Sequence, residues 1–101
     1  MDQPYQVLIF PRAEQDLADT RDYFLNILKT PSTQVFEKVL STITQLEDNP
    51  LIYPQVKDSL LQRKGYRFVP IDNFLLFFVV VGNQVQIRRF LYGGRKYNSL
   101  L

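Results

Sequence analysis

The stretch YRFVPIDNFLLFFVVVGNQVQIRRFLY, residues 66–92, decides the fold. It divides into three apolar, β-branched and aromatic runs, Tyr66 to Ile71, Phe74 to Val81 and Gln84 to Tyr92, separated by the two-residue links Asp72-Asn73 and Gly82-Asn83. Links of that length and composition close tight hairpins, so the stretch predicts an antiparallel three-stranded meander. The middle run is apolar at every position, which places it centrally with both faces covered. Helices are expected on one face and a second cover, such as a partner, on the other. Strict alternation in the last run would put Val85, Ile87, Arg89 and Leu91 on one face and Gln86, Arg88, Phe90 and Tyr92 on the other.

Working outward toward the N-terminus, Leu51 to Lys64, flanked by Pro50 and interrupted by Pro54, reads as an irregular surface connection. Before it, Phe36, Val39, Leu40, Ile43 and Leu46 recur at helical spacing and stop at Asn49-Pro50. Thr30-Pro31 reads as the start of that helix, with Thr30 as cap and Pro31 in the first turn. An earlier helix is marked by Ala13, Leu17, Phe24, Leu25 and Leu28, and the two predict an antiparallel helical hairpin with a short connection. Tyr5 to Phe10 reads as a strand closed by Pro11. The expected fold is therefore α+β: an N-terminal strand, a helical hairpin and then the meander, with the helices on one face of the sheet. Strand order stays open at this level.

A chain of 101 residues fits one domain, spanning residues 1–101, that buries roughly 65% of its unfolded surface. The longest apolar run, Phe74 to Val81, falls far short of the about 20 residues that cross a bilayer, so no membrane role is expected. The absence of cysteine and histidine removes a disulfide framework, zinc sites and Ser-His-Asp chemistry, and no metal or cofactor is expected. The start, MDQPYQVLIFPRAE, lacks the basic opening and small-residue cleavage site of a secretory leader, which makes a cytoplasmic location the expectation.

Charge is divided by position. Residues 1–59 hold nine acids against five bases, net −4, while residues 60–101 hold seven bases against Asp72 alone, net +6. Arg63, Lys64, Arg67, Arg88, Arg95 and Lys96 are therefore candidates for binding an anionic macromolecule from fixed positions. Lys64, Arg88 and Arg95 with Tyr92 and Tyr97 form a candidate ribonuclease set. The cations would stabilise charge on a phosphate attacked by a 2′-hydroxyl, and a tyrosine would stack on a base or move a proton. The same residues read equally as a solvated strand face whose arginines pair with the acidic helices. Arg89, placed among Val85, Ile87 and Leu91, is read as a structural arginine paired with a carboxylate, in preference to a contact on an exposed apolar patch. Glu14, Asp16, Asp19 and Asp22 are read as a solvated helix face, and Gly93-Gly94 as a turn.

This order of elements, with Gly65-Tyr66-Arg67 opening the meander, Phe74-Leu75-Leu76-Phe77-Phe78 at its centre and Val85 to Arg95 closing it, resembles the RelE/ParE superfamily of bacterial toxins. The resemblance spans nearly the whole chain. It implies the growth-inhibiting toxin of a type II toxin–antitoxin module, including plasmid-stabilising examples, neutralised by a cognate antitoxin that folds around it. It also implies a macromolecular target, either DNA gyrase or the ribosome with mRNA, and no small-molecule substrate. RelE-like members, which are metal-independent mRNA endoribonucleases, carry an arginine where this chain has Leu75 and another matching Arg95. Where many relatives end in a His-Gly-x-Arg-Asp-Tyr-like segment, Tyr92 replaces the histidine and Lys96 the aspartate. Leu75 favours ParE-like inhibition of gyrase over RelE-like cleavage of mRNA. A non-toxic RNA-binding module is the third reading.

Overall fold

The computed structural model describes residues 4–101; Met1, Asp2 and Gln3, at the head of the stretch read for a leader, lie outside the described residues. Strand β1 (Gln6–Ile9) leads into α1 (Pro11–Asn26), which Pro11 opens without a side-chain cap on Phe10. Pro11 can take this place because a first-turn N–H has no helical acceptor to lose. Lys29 turns the chain at φ 55°, and the Thr30 N–H donates to the Phe24 carbonyl at 3.0 Å. Helix α2 (Thr33–Asp48) begins after Ser32, so Pro31 precedes the helix and does not sit in its first turn, and Thr30 is not its cap. Asn49-Pro50 ends α2, as the sequence implies.

The segment from 50 to 64 is more ordered than its prolines suggest. It holds a 3₁₀ turn at Pro50–Ile52 and a short helix α3 (Ser59–Arg63), and Gln55 bridges to Arg67. Asp58 caps α3, its Oδ1 accepting the N–H groups of Leu60 and Leu61 at 3.0 Å each. Tyr66 N–H to the Leu61 carbonyl and Gly65 N–H to that of Gln62 close the other end, with Gly65 at φ 86°. That is a Schellman closure, and its left-handed residue is the place where a Cβ would cost energy.

Strands β2 (Arg67–Ile71), β3 (Phe74–Val81) and β4 (Gln84–Tyr92) form the meander, with Asp72 at φ 52° and Gly82 at φ 60° opening its two turns. The sheet order is β1-β4-β3-β2, with β1 parallel to β4 and the remaining pairs antiparallel. Strand β3 is thus internal, as its apolar run requires.

In β4 the alternation breaks. Phe77 lies opposite Arg89 and Phe78 opposite Ile87, so Arg88 is an extra, unpaired residue in a β-bulge. One extra residue exchanges the faces: Val85 and Ile87 join Phe90 in the core beneath the helices, whereas Leu91 joins the core on the opposite side. The uniform alternation expected for this strand therefore holds only as far as Ile87.

Two cores result. The first lies between sheet and helices and contains Ala13, Val35, Val39, Leu46, Phe78, Ile87 and Phe90. The second contains Val56, Leu61, Tyr66, Phe77, Val79 and Leu91, with Tyr97, Leu100 and Leu101 packed against it. The second sheet face is therefore covered by the chain's own connection and C-terminal segment, and the sheet needs no partner there. Unburied apolar surface instead lies on and just beyond the helices, where Leu25 and Leu40 on α1 and α2 and Ile27 and Leu28 after α1 are all at least 45% exposed.

Candidate functional site

Arg89 is held inside the molecule. Its Nε and Nη2 donate to Oδ2 and Oδ1 of Asp16 at 2.7 and 2.9 Å, and Nη1 donates to the Leu100 carbonyl at 3.0 Å. The hydrogen bonds it donates to Asp16 raise the guanidinium pKa further, against the opposing effect of desolvation. Asp16 also accepts the Phe90 N–H at 2.9 Å. The structural reading of Arg89 holds, but Asp16 is not part of a solvated acidic face. It sits between buried Ala13 and buried Thr20 at steps of three and four, a spacing that marks it for the inner side of α1.

The other cations are dispersed. Arg67 is a bracing residue whose Nη1 donates to the Tyr53 carbonyl at 2.6 Å. Arg63 and Lys64 are exposed at the end of α3. Arg88, thrown out of the ladder by the bulge, donates from Nη2 and Nε to Gln86 Oε1 at 2.7 and 3.3 Å and lies 4.7 Å from the centre of the Phe10 ring. Arg88 and Arg12 border a small cleft, whereas Arg95 and Tyr92 border a separate, larger groove. Lys96 is exposed. Tyr92 is 55% exposed, but the Tyr97 ring lies 4.8 Å from that of Phe77 and forms part of the second core. Leu75 packs against that same core.

The candidate ribonuclease set is thus not gathered into one pocket among the described residues. Gly93-Gly94 is a turn, closed by the Arg95 N–H donating to the Tyr92 carbonyl at 3.0 Å. A Cβ on Gly94 would come within 2.6 Å of the Tyr92 ring, so glycine there lets the tyrosine fold back over the turn.

The larger groove, about 700 Å³, runs between α1 and the end of the β3–β4 pair. Tyr23, Phe24, Leu28, Phe74 and Tyr92 give it an apolar lining, with Asp19 on one wall and Arg95 on another. Tyr23, Leu28 and Tyr92 are each 45–55% exposed, so the groove offers apolar area to solvent. Sequence reading assigns Leu28 and Phe24 to the core stripe of α1 and misses the groove. The helix ends at Asn26, so Leu28 lies beyond it and the stripe read from the sequence overruns the helix.

A strand, two helices and an antiparallel meander in this order, with the first strand parallel to the last, make up the fold. The model of the ParE toxin of type II toxin–antitoxin systems, parDE, matches residues 7–97, and the chain belongs to that family. The fold resembles a chain of the chromosomal ParDE toxin–antitoxin system from P. aeruginosa, with a TM-score of 0.69 and 16% identity over 90% of this chain and 98% of that one. It also resembles a chain of the E. coli DinJ-YafQ toxin–antitoxin complex, with a TM-score of 0.56 and 12% identity over 97% of this chain and 98% of that one. Among curated proteins none matches the sequence significantly. The protein is accordingly the toxin of a type II module, whose counterpart is a cognate antitoxin.

Proposed function

We propose that this toxin arrests growth by binding DNA gyrase in the cytoplasm and does not cleave mRNA. The observation that carries this reading is the dispersal of the groups that phosphoryl transfer needs. General acid–base catalysis requires a donor within hydrogen-bond reach of the reacting oxygen, and oxyanion stabilisation requires cations converging on one phosphate. Here Leu75 occupies the central-strand position, Tyr97 is packed on Phe77, and Arg88 and Arg95 open onto different grooves. A surface that binds without catalysing needs no such convergence.

The antitoxin is proposed to seat an amphipathic segment in the groove beside α1. Burying apolar groove area against a segment that folds on contact supports tight binding, and exposed Tyr23, Leu28 and Tyr92 supply that area.

The second reading, mRNA cleavage in the ribosomal A site, is favoured only by exposed Lys64, Arg95 and Lys96. Incubating the purified toxin with gyrase and supercoiled DNA, and in parallel with a translating ribosome and defined mRNA, separates the two. Trapped gyrase–DNA cleavage complexes with intact mRNA are the expected result. Cut mRNA, lost on Arg95→Ala, would overturn the gyrase reading.

A further inference from the structure

We propose that the cleft between the start of α1 and the bulge of β4 binds a phosphodiester of a nucleic-acid backbone through Arg12 and Arg88. The proposal does not depend on which enzyme or particle the toxin targets. Arg88 is already oriented: Gln86 holds Nε and Nη2, and the Phe10 ring supports the guanidinium plane. Its Nη1 has no partner among the described residues, and neither has the exposed Arg12 guanidinium. Asp16, on the next turn of α1, is committed to Arg89 and to the Phe90 N–H, and neither Arg12 nor Arg88 takes part in an ion pair among the described residues. Both therefore offer hydrogen-bond donors and positive charge to one cleft.

The ligand's chemistry follows from what the cleft presents. Its walls include Phe10, Pro11, Leu100 and Leu101, which exclude water from one side and strengthen an ion contact there. Its volume of ≈ 290 Å³ equals about ten waters at ~30 Å³ each, room for a phosphate with its sugar but for little more. A phosphodiester accepts hydrogen bonds and donates none, and the guanidinium fork matches its two free oxygens. Beyond the cleft the same strand face continues as Gln86 and Gln84, joined by a 3.3 Å hydrogen bond. The Gln86 amide is taken up by Gln84 and Arg88, which leaves the Gln84 amide N–H groups to donate to phosphate or sugar oxygens.

The test is fluorescence anisotropy of the full chain with a labelled 20-base-pair DNA duplex and with a single-stranded RNA of the same sequence, at 50 and 200 mM NaCl. Binding to at least one of them is expected, weakened about tenfold by Arg88→Ala or Arg12→Ala, with the log–log salt slope reduced by about 1 for each lost contact. Arg21→Ala, outside the cleft and paired with Asp22, should change nothing. Preference for the duplex points to DNA as the source of the phosphate and preference for the single strand to RNA; either supports the site. No binding at 50 mM salt overturns it, as does equal weakening by Arg21→Ala. Tighter binding of a poly-glutamate peptide than of both nucleic acids also overturns it. Should Arg88→Ala fail to fold, Arg12→Ala on the exposed first turn decides the outcome alone.

Discussion

Asp16 and Arg89, 73 positions apart in the chain, are joined by two hydrogen bonds with side chains only 10% and 9% exposed. The same carboxylate closes the N–H of Phe90, on a stretch of β4 that lies beyond the last residue paired with β1. One side chain on α1 therefore completes both the sheet edge and the charge balance of the interior. Removing it leaves a buried guanidinium without its carboxylate, which costs far more than losing a surface pair. Asp16→Ala should destabilise the fold by about 3–5 kcal/mol in urea unfolding. The Asp16→Ala, Arg89→Met double variant should recover part of that loss, because the unpaired charge is gone. A loss under 1 kcal/mol in the single variant would show the pair to be incidental.

How much of this was legible depends on whether a local rule holds over a whole element. The meander is legible because residues 66–92 keep a strand-like composition between two-residue turns, and the helical hairpin because its stripes keep a period near 3.6. The bulge at Arg88 is not, since alternation assumes that no residue is inserted and nothing in Ile87-Arg88-Arg89-Phe90 marks one. That single insertion decides that Arg89 faces the second core, with Leu91, and that Arg88 turns to Phe10. The parallel pairing of β1 beside β4 is a long-range choice no window contains. Helix α3 escaped because five residues give a period too little length. The cationic tail was visible as composition, but its dispersal was not, because charge counts carry no direction.

The C-terminal segment gives a test that separates packing from chemistry. Tyr97 contributes its ring to the second core, and among the described residues its hydroxyl has no hydrogen bond. Tyr97→Phe should therefore preserve both stability, within about 0.5 kcal/mol, and growth inhibition. Tyr97→Ala removes a half-buried ring and should cost about 2 kcal/mol, below the ~3–5 kcal/mol of a fully buried aromatic. Growth assays on induction, beside thermal melts, check both. Loss of toxicity in Tyr97→Phe at unchanged stability would mean the hydroxyl takes part in chemistry.

Tyr53 ties stability to alkaline pH. Burial raises its pKa above the ordinary value of 10.0, and its hydroxyl donates to Gln45 Oε1. Above pH 10 the unfolded chain gives up this proton more readily than the folded one, so the folded state binds more protons and stability falls as pH rises. The contribution is fully present below the unfolded pKa and disappears as the pH climbs through the folded one. Tyr53→Phe should flatten the fall in unfolding free energy between pH 9 and 11 relative to the parent. Identical pH profiles would remove Tyr53 as a source.

The groove beside α1 makes the most direct prediction about regulation. Leu28 and Tyr23 spend stabilising apolar area on solvent, at 45% and 49% exposure, in a fold that elsewhere closes both faces of its sheet. Because about half of each is exposed in the free toxin, changing them should move its stability by no more than about 1 kcal/mol. Leu28→Glu would place a carboxylate in an apolar contact, in a groove that Asp19 also lines. Calorimetric titration with the cognate antitoxin should then show affinity at least about tenfold weaker, which is ~1.4 kcal/mol, and Tyr23→Ala should show a smaller loss. The toxin would remain active against growth while escaping neutralisation, a combination that general misfolding cannot produce. Unchanged affinity in both variants would place the antitoxin on another face.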